Sequence, residues 1–280
     1  MPPEYSARLR RAVEAHHFEA LGTNCSLFAV GALRHALLEA EFWVRRLGTR
    51  LTRFSPDSEL SHLNASAGRW QDVSPELESL LRESMRAYET SFGLVNVAVL
   101  RSMEAAGYTR PLSEGRPVAT ELRACPLPAL PDVLAMLPGA ARLATGAGVD
   151  LGGIAKGWMA DRVLDFLGPN ALANLGGDLR ATGSGPSGAG WPVGLGGATV
   201  LLRDQGAATS SVRLRRWGGE HHHLIDPRTG LPARTGLEEV SVVATSGVEA
   251  EVVAKTALLV GPELAPAYCA ARALAWWLSP

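Results

Sequence analysis

The nine residues Val149-Asp150-Leu151-Gly152-Gly153-Ile154-Ala155-Lys156-Gly157 constrain this chain more than any other stretch. They set a carboxylate, a glycine pair, a lysine and a further glycine at a strand-to-helix junction. Glycines let a backbone approach a ligand closely, and a helix N-terminus offers unpaired N–H groups to an anion. Lys156 adds a mobile positive charge. No Ser or Thr follows the lysine where a Walker loop needs one, and the glycine spacing does not fit a dinucleotide fingerprint. A plain tight turn before a helix is the alternative. Asp150 and Lys156 on either side of the pair favour ligand binding, and a nucleotide is the ligand class that suits them.

Two later tracts sharpen this reading. Asn174-Leu175-Gly176-Gly177-Asp178 follows a strand; its glycines either close a turn or meet a ligand, and Asp178 either caps local N–H groups or joins the site. His221, His222 and His223 are consecutive, and neighbours on a strand point to opposite faces, so the triplet is a poor chelate. His223 stands apart because Asp226-Pro227-Arg228-Thr229-Gly230 follows closely. The Asp226 carboxylate and Thr229 hydroxyl can order that turn by themselves. An imidazole held beside it can also serve as general base for a hydroxyl nucleophile.

The bulk properties exclude several classes. The 280 residues are 46% hydrophobic with a net charge of -1 and a pI near 6.7, which does not suit general nucleic-acid binding. Arg45-Arg46 and Arg215-Arg216 read as solvated faces. Cys25, Cys125 and Cys269 lack metal-ligand spacing and read as inert buried thiols in a reducing compartment. The first residues lack the pattern of a signal peptide. Lys255, Pro262, Glu263, Pro266 and Arg272 interrupt the apolar C-terminal region, which argues against a membrane span. A cytoplasmic protein is expected, so the formal glycosylation sequon Asn64-Ala65-Ser66 is discounted.

Periodicity predicts a frayed helical arm over 1–15, strand character over 18–30 with a turn at Gly22, and a helix over 32–48 with Leu33, Leu37, Ala40, Val44 and Leu47 on one face. Phe54 to Ser61 resembles a helix start capped by Ser or Asp. Ser74-Pro75-Glu76 opens another helix, with a capping hydroxyl and proline at its first position. The proline-rich stretch of about 109–140 reads as an irregular insertion. A helix over 153–167, strands at 171–175, 192–195, 199–203, 207–214 and 239–245, and helices over 248–260 and 262–273 follow. Gly196-Gly197-Ala198-Thr199 leads into one of those strands. The chain ends soon after Trp276-Trp277, which suits a trimmed last strand. The order predicts a mixed α+β fold, as one domain over 1–280 with two intimately packed lobes.

Taken together, these tracts resemble the flavin transferase family known as ApbE. The similarity runs in order through Leu21-Gly22-Thr23, Phe54 to Glu59, Asp150 to Gly157, Asn174 to Asp178, Ala208-Thr209-Ser210-Ser211, His223 to Gly230 and Ser241 to Gly261. The resemblance implies an FAD:protein FMN transferase, in which FMN passes from FAD to a Thr or Ser hydroxyl of an acceptor flavoprotein subunit and AMP leaves. It implies that Leu21 and Phe54 line the flavin or adenine pocket, that Asp150 and Lys156 hold FAD, and that Ile225 packs nearby. Asp226 and Thr229 join the FAD-binding set, and His223 helps to deprotonate the incoming hydroxyl. It also implies magnesium (Mg2+), with the Gly153 carbonyl facing the ion.

One departure stands out. The family's closing segment carries Asp and, four residues on, Thr as metal ligands, where this chain has Glu251 and Lys255. A shift of one residue brings in Thr256 but replaces the acid with Val252. Asn96 likewise stands where many relatives carry Asp. A protonated lysine cannot coordinate a metal, so weakened metal dependence is expected; the alternative is that Glu251, which can ligate through oxygen, still collects magnesium with Gly153 and other oxygens. A non-catalytic flavin-binding or maturation factor and an FAD pyrophosphatase are the competing readings.

Overall fold

The computed structural model describes residues 12–115, 122–213, 215–217 and 221–280. Its main sheet has seven strands: β1 (Val13–Ala20), β2 (Thr23–Val30), β3 (Ala171–Leu175), β4 (Asp178–Ala181), β5 (Gly206–Ser211), β6 (Glu239–Ala244) and β7 (Ala275–Ser279). Every neighbouring pair is antiparallel, and order in space follows order in the chain. The longer helices are α1 (Arg34–Arg50), α2 (Pro75–Thr90), α3 (Ala155–Leu167), α4 (Gly247–Val260) and α5 (Ala265–Arg272). This is the mixed helix-and-sheet architecture that the element order predicts.

Alternation along the strands divides the sheet into two buried faces. Cys25, Leu27 and Ala29 of β2 and Ala171, Ala173 and Leu175 of β3 join the core built with α1 and α3. Val240, Val242 and Ala244 of β6 meet α4 in a second cluster. The opposite face, with Leu172, Leu179, Ala207 and Val243, is closed by the hairpin Trp191–Leu195/Ala198–Leu202. Asp178 and Arg180 alternate with Leu179 and Ala181 along β4 and so point toward the helices. That parity delivers a carboxylate to the start of α3.

Helix α4 is the buried centre of the helical layer, with Ala250, Val253, Ala254, Ala257 and Leu258 almost free of solvent exposure. Ser246 caps it by accepting from the Glu249 N–H at 3.2 Å. Asp161 of α3 accepts from the N–H groups of Gly247 (2.6 Å) and Val248 (3.0 Å), which sets a carboxylate on the positive end of the helix. Burial pushes the Asp161 pKa up, against the lowering by those two hydrogen bonds. Where α3 and α4 cross, a β-carbon on Gly157 would lie 2.7 Å from the Gly247 carbonyl oxygen and 2.9 Å from Glu251 Oε2. Only hydrogen fits there.

Several expectations are corrected. Residues 13–15 belong to β1 rather than to a helical arm, and 1–11 lie outside the described residues. The strand expected over 18–30 is a hairpin, β1 paired with β2 across Leu21-Gly22. Leu33 precedes α1 and is 68% exposed, whereas Leu37, Ala40, Val44 and Leu47 are buried. The end of the proline-rich stretch is ordered: a short helix Leu130–Val133 leads into Leu134–Leu137, which pairs with Ala140–Leu143, and the latter pairs with Gln71–Asp72. Residues 116–121 of that stretch lie outside the described residues. Trp276 and Trp277 sit within β7, whose residues pair with Glu239–Val243 of β6. Cys25 and Cys269 are buried free thiols, but Cys125 is exposed. Among the described residues, no helix is long and apolar enough to cross a membrane.

Replacing Gly157 with Ala gains helix propensity but drives a methyl group into the α4 backbone. A net loss of about 1–3 kcal/mol is expected from overpacking, read as a lower urea midpoint at unchanged m-value.

Candidate functional site

The site is built where the loop before α3, the β3–β4 turn and the middle of α4 meet. Asn64, from the short helix Glu59–Asn64, grips the irregular segment that leads in; the strand expected there ends earlier, at Leu143. Its side chain donates to the Val149 carbonyl at 3.0 Å and accepts from the Val149 N–H at 2.8 Å. Asp150 comes next. Its Oδ1 accepts from the Gly152 N–H at 2.7 Å, which closes the turn, and its Oδ2 takes Arg53 Nε at 2.5 Å. Asp150 therefore organises the turn and holds a guanidinium. Arg53 is only 5% exposed, and its Nη2 finds no hydrogen-bond partner among the described residues.

That guanidinium also stacks 4.2 Å from the Phe54 ring centre and 4.7 Å from that of Tyr108. Phe54, Tyr108, Trp217 and Ile225 share one small apolar cluster, so the structure unites two of the expected pocket residues, Phe54 and Ile225. Tyr108, Trp217 and Arg53 escaped the sequence reading. Arg53 adjoins Phe54 and was legible in principle as a cation beside an aromatic residue; the other two follow only from the fold.

Asn174 Oδ1 accepts from the Gly177 N–H at 2.8 Å, so the Gly176-Gly177 pair closes the β3–β4 hairpin. Asp178, 4% exposed, does not cap that turn. Its carboxylate receives the ammonium of Lys156, which rises from the first turn of α3. Leu21, at φ 56° in the β1–β2 turn, packs against the main core and approaches Gly48 of α1. It adjoins this hairpin through Thr23, which lies against Gly176.

Glu251 is the hub of the charged groups. Buried in α4, it accepts from the Gly157 N–H through Oε2 at 2.9 Å, while its Oε1 stands 4.0 Å from both Lys156 Nζ and Lys255 Nζ. Lys255 donates to the Gly153 carbonyl. A β-carbon on Gly153 would lie 2.4 Å from that ammonium, so the glycine makes room for the lysine. Thr256 instead turns inward and donates to the Val252 carbonyl at 2.8 Å, which fixes the register: Glu251 and Lys255 face Gly153, and Thr256 faces the core. Asn96 orders its own loop by donating to the Pro128 carbonyl and accepting from the Ala98 N–H.

The magnesium implied by the family resemblance does not fit these residues. Mg2+ needs several oxygen ligands at short range. Here the Gly153 carbonyl already holds an ammonium, and Glu251 is committed to one N–H and two lysines. Among the described residues, no group of three His, Cys, Asp or Glu side chains converges to hold an ion.

Burial pushes the Lys156 pKa down from an ordinary 10.5 to about 8, with Glu251 opposing and Arg215 and Lys255 reinforcing the fall. Burial lowers Lys255 as well, against the pull of Glu251 and Asp150. Arg215 thus acts on both lysines and on His223 and is not a remote solvated residue. His223 Nδ1 is buried without a hydrogen-bond partner among the described residues. Burial first, then the charges of Arg215, Lys255, His222 and Lys156, hold its pKa well below 6.5, so it is neutral at pH 7. His222 is occupied structurally, with Nε2 2.9 Å from the Ala233 carbonyl oxygen.

Asp226 and Thr229 build the turn that follows His223. The Asp226 carboxylate pairs with Arg228 at 2.7 Å, and its carbonyl accepts from the N–H groups of Thr229 and Gly230. Thr229 Oγ1 accepts from the Leu231 N–H at 3.2 Å. Arg228 also donates to the Leu259 carbonyl at 2.7 Å, which ties the turn to α4.

Comparison with known proteins places this geometry. The model of the ApbE family matches residues 21–277. An FAD:protein FMN transferase of Treponema pallidum (strain Nichols) is 30% identical over 262 residues, covering 82% of this chain and 72% of that protein. One from Klebsiella pneumoniae (strain 342) is 35% identical over 123 residues, a stretch that spans 38% of this chain and only 37% of its relative. The crystal structure of the apo flavinyl transferase ApbE of Pseudomonas stutzeri superposes with a TM-score of 0.78 at 22% identity, over 92% of this chain and 89% of that one. That of the ApbE protein of Thermotoga maritima gives 0.77 at 24% identity, over 89% and 87%.

The lowered Lys156 pKa has a signed consequence for stability. Below about pH 8 both folded and unfolded chains carry the proton, and the burial cost is present in full. Between about 8 and 10.5 the unfolded chain binds more protons, so this group makes stability rise with pH. Lys156→Met should flatten that rise, measured as urea midpoints from pH 7.5 to pH 10.

Proposed function

Since the chain belongs to the ApbE family, we propose that it is an FAD:protein FMN transferase, carrying FMN from FAD to a Thr or Ser hydroxyl of a partner flavoprotein and releasing AMP. One observation carries the reading beyond family membership: Lys255 sits on the Gly153 carbonyl with Lys156 beside the same turn, and their charges, with that of Arg215, act on an imidazole held neutral. A diphosphate requires the cations, and a hydroxyl nucleophile requires the free base.

The reaction exchanges one phosphorus–oxygen bond for another. The acceptor oxygen bonds to the FMN phosphorus while the bond to the AMP phosphate breaks, and the electron pair departs on AMP. The hydroxyl proton passes to His223. Charge gathers on the phosphoryl oxygens along this path, and fixed ammonium and guanidinium groups stabilise it without reorganising. Asp150 holds the turn and Arg53, Phe54 and Ile225 supply apolar wall, and Leu21 borders the adjoining hairpin. Asp226 and Thr229 serve by shaping the turn that carries His223. The chain acts throughout as one domain, and its three free cysteines suit the cytoplasm.

The same cations explain how a weak base can work. They hold the His223 pKa down in the free protein; a bound diphosphate offsets their charge and lets it rise. The acid limb of kcat/KM, which reports the free enzyme, should therefore lie below pH 6.5, with that of kcat displaced upward. Coincident limbs would contradict this account.

Incubation with FAD and a threonine-bearing acceptor peptide should leave flavin covalently on the peptide, seen as in-gel fluorescence. Free FMN as sole product would mean hydrolysis, and intact bound FAD a binding protein. His223→Asn should lower transfer by about 10²–10⁴-fold while FAD still quenches on binding.

A further inference from the structure

We propose that the ammonium of Lys255 takes the place of a divalent cation, so that this protein binds the FAD diphosphate, and transfers FMN, without metal. The inference rests on the FAD reading and deepens it. Its first support is positional: Lys255 reaches across from α4 and donates to the Gly153 carbonyl, the atom expected to face an ion. Gly153 has no side chain to block the approach.

The second support is the state of the oxygens. Glu251 has one oxygen on the Gly157 N–H and the other between two ammonium groups. Asp178 is engaged by Lys156, and Asp150 by Arg53 and the Gly152 N–H. No carboxylate of this group is left to recruit an ion. The third support is charge. Lys156, Lys255, Arg53 and Arg215 set four positive charges against the three of Asp150, Asp178 and Glu251, a surplus of one before any ligand arrives. A divalent ion would meet two ammonium groups beside Glu251, whereas a diphosphate dianion is attracted to them. The Lys156 and Lys255 side chains are 15% and 13% exposed, and Gly152 at the turn is open to solvent.

The substitution is coupled. An acid paired with a hydroxyl binds an ion, whereas an acid paired with an ammonium neutralises itself and leaves the second lysine to the phosphate. Glu251 and Lys255 are therefore the specificity-determining pair for cation type.

Calorimetric titration with FAD, in EDTA and again in millimolar magnesium, tests this directly, with riboflavin as the phosphate-free control. Affinity for FAD should agree within about twofold between the two buffers, and riboflavin should bind at least tenfold more weakly in both, since charge-assisted contacts to phosphate are lost. Lys255→Met should weaken FAD binding about tenfold or more without rescue by magnesium. The double variant Glu251→Asp with Lys255→Thr should bind FAD in a magnesium-dependent way. Thermal melts confirm that each variant is folded. FAD binding by the parent protein only with magnesium overturns this inference and leaves the transferase reading standing. No FAD binding under either condition overturns both. Unchanged affinity in folded Lys255→Met removes the lysine from the site and overturns the inference alone.

Discussion

The carboxylate of Glu251 ties the site to the fold. It sits at the crossing of α3 and α4, where Gly157 lets the helices come close enough for one oxygen to reach a backbone N–H. Its other oxygen lies midway between two lysines that arrive from different helices. A buried carboxylate without such partners would be costly, and so would either ammonium without the acid. The three groups stabilise one another in a half-buried setting and leave a net positive rim. Helix packing and the charged cluster thus rest on the same atoms.

The sheet explains why the charges meet there. Strict alternation along β4 turns Leu179 and Ala181 to one face and Asp178 to the other, toward the start of α3. The antiparallel register sets the residue after the β3–β4 turn against the start of α3, and the two glycine turns are each closed by their own side chain, Asn174 or Asp150. These local bonds shape the turns from within. The same division of labour holds after His223, where Asp226 and Arg228 fix the loop and the imidazole stays unpaired at Nδ1.

Much of this was legible in sequence, for physical reasons. Ser74-Pro75 announced a helix start because a capping hydroxyl and an N1 proline leave few other options, and β3 stood out as an apolar run bounded by turn residues. The Asp150–Gly157 tract drew attention because a carboxylate, a glycine pair and a lysine share nine residues, and Glu251/Lys255 did so as a departure from the pattern of the family's closing segment. What stayed hidden depends on distance in the chain. Arg53 meets Asp150 across 97 residues, and no local pattern encodes that pairing. Arg215 looked like solvated surface, since an Arg pair carries no sign of what faces it. The strand at Leu134–Leu137 was masked by the prolines ahead of it, and β1 by its polar alternation, which imitates a solvated arm.

Asn64 has a consequence for how this protein can be made. Its amide grips both backbone groups of Val149, the residue ahead of Asp150, and the neighbouring Ser66 is buried. An oligosaccharide attached to that nitrogen during synthesis would remove the grip before the segment could dock. Expression through a eukaryotic secretory route therefore sets glycan addition and correct folding in direct competition, whereas a bacterial host does not.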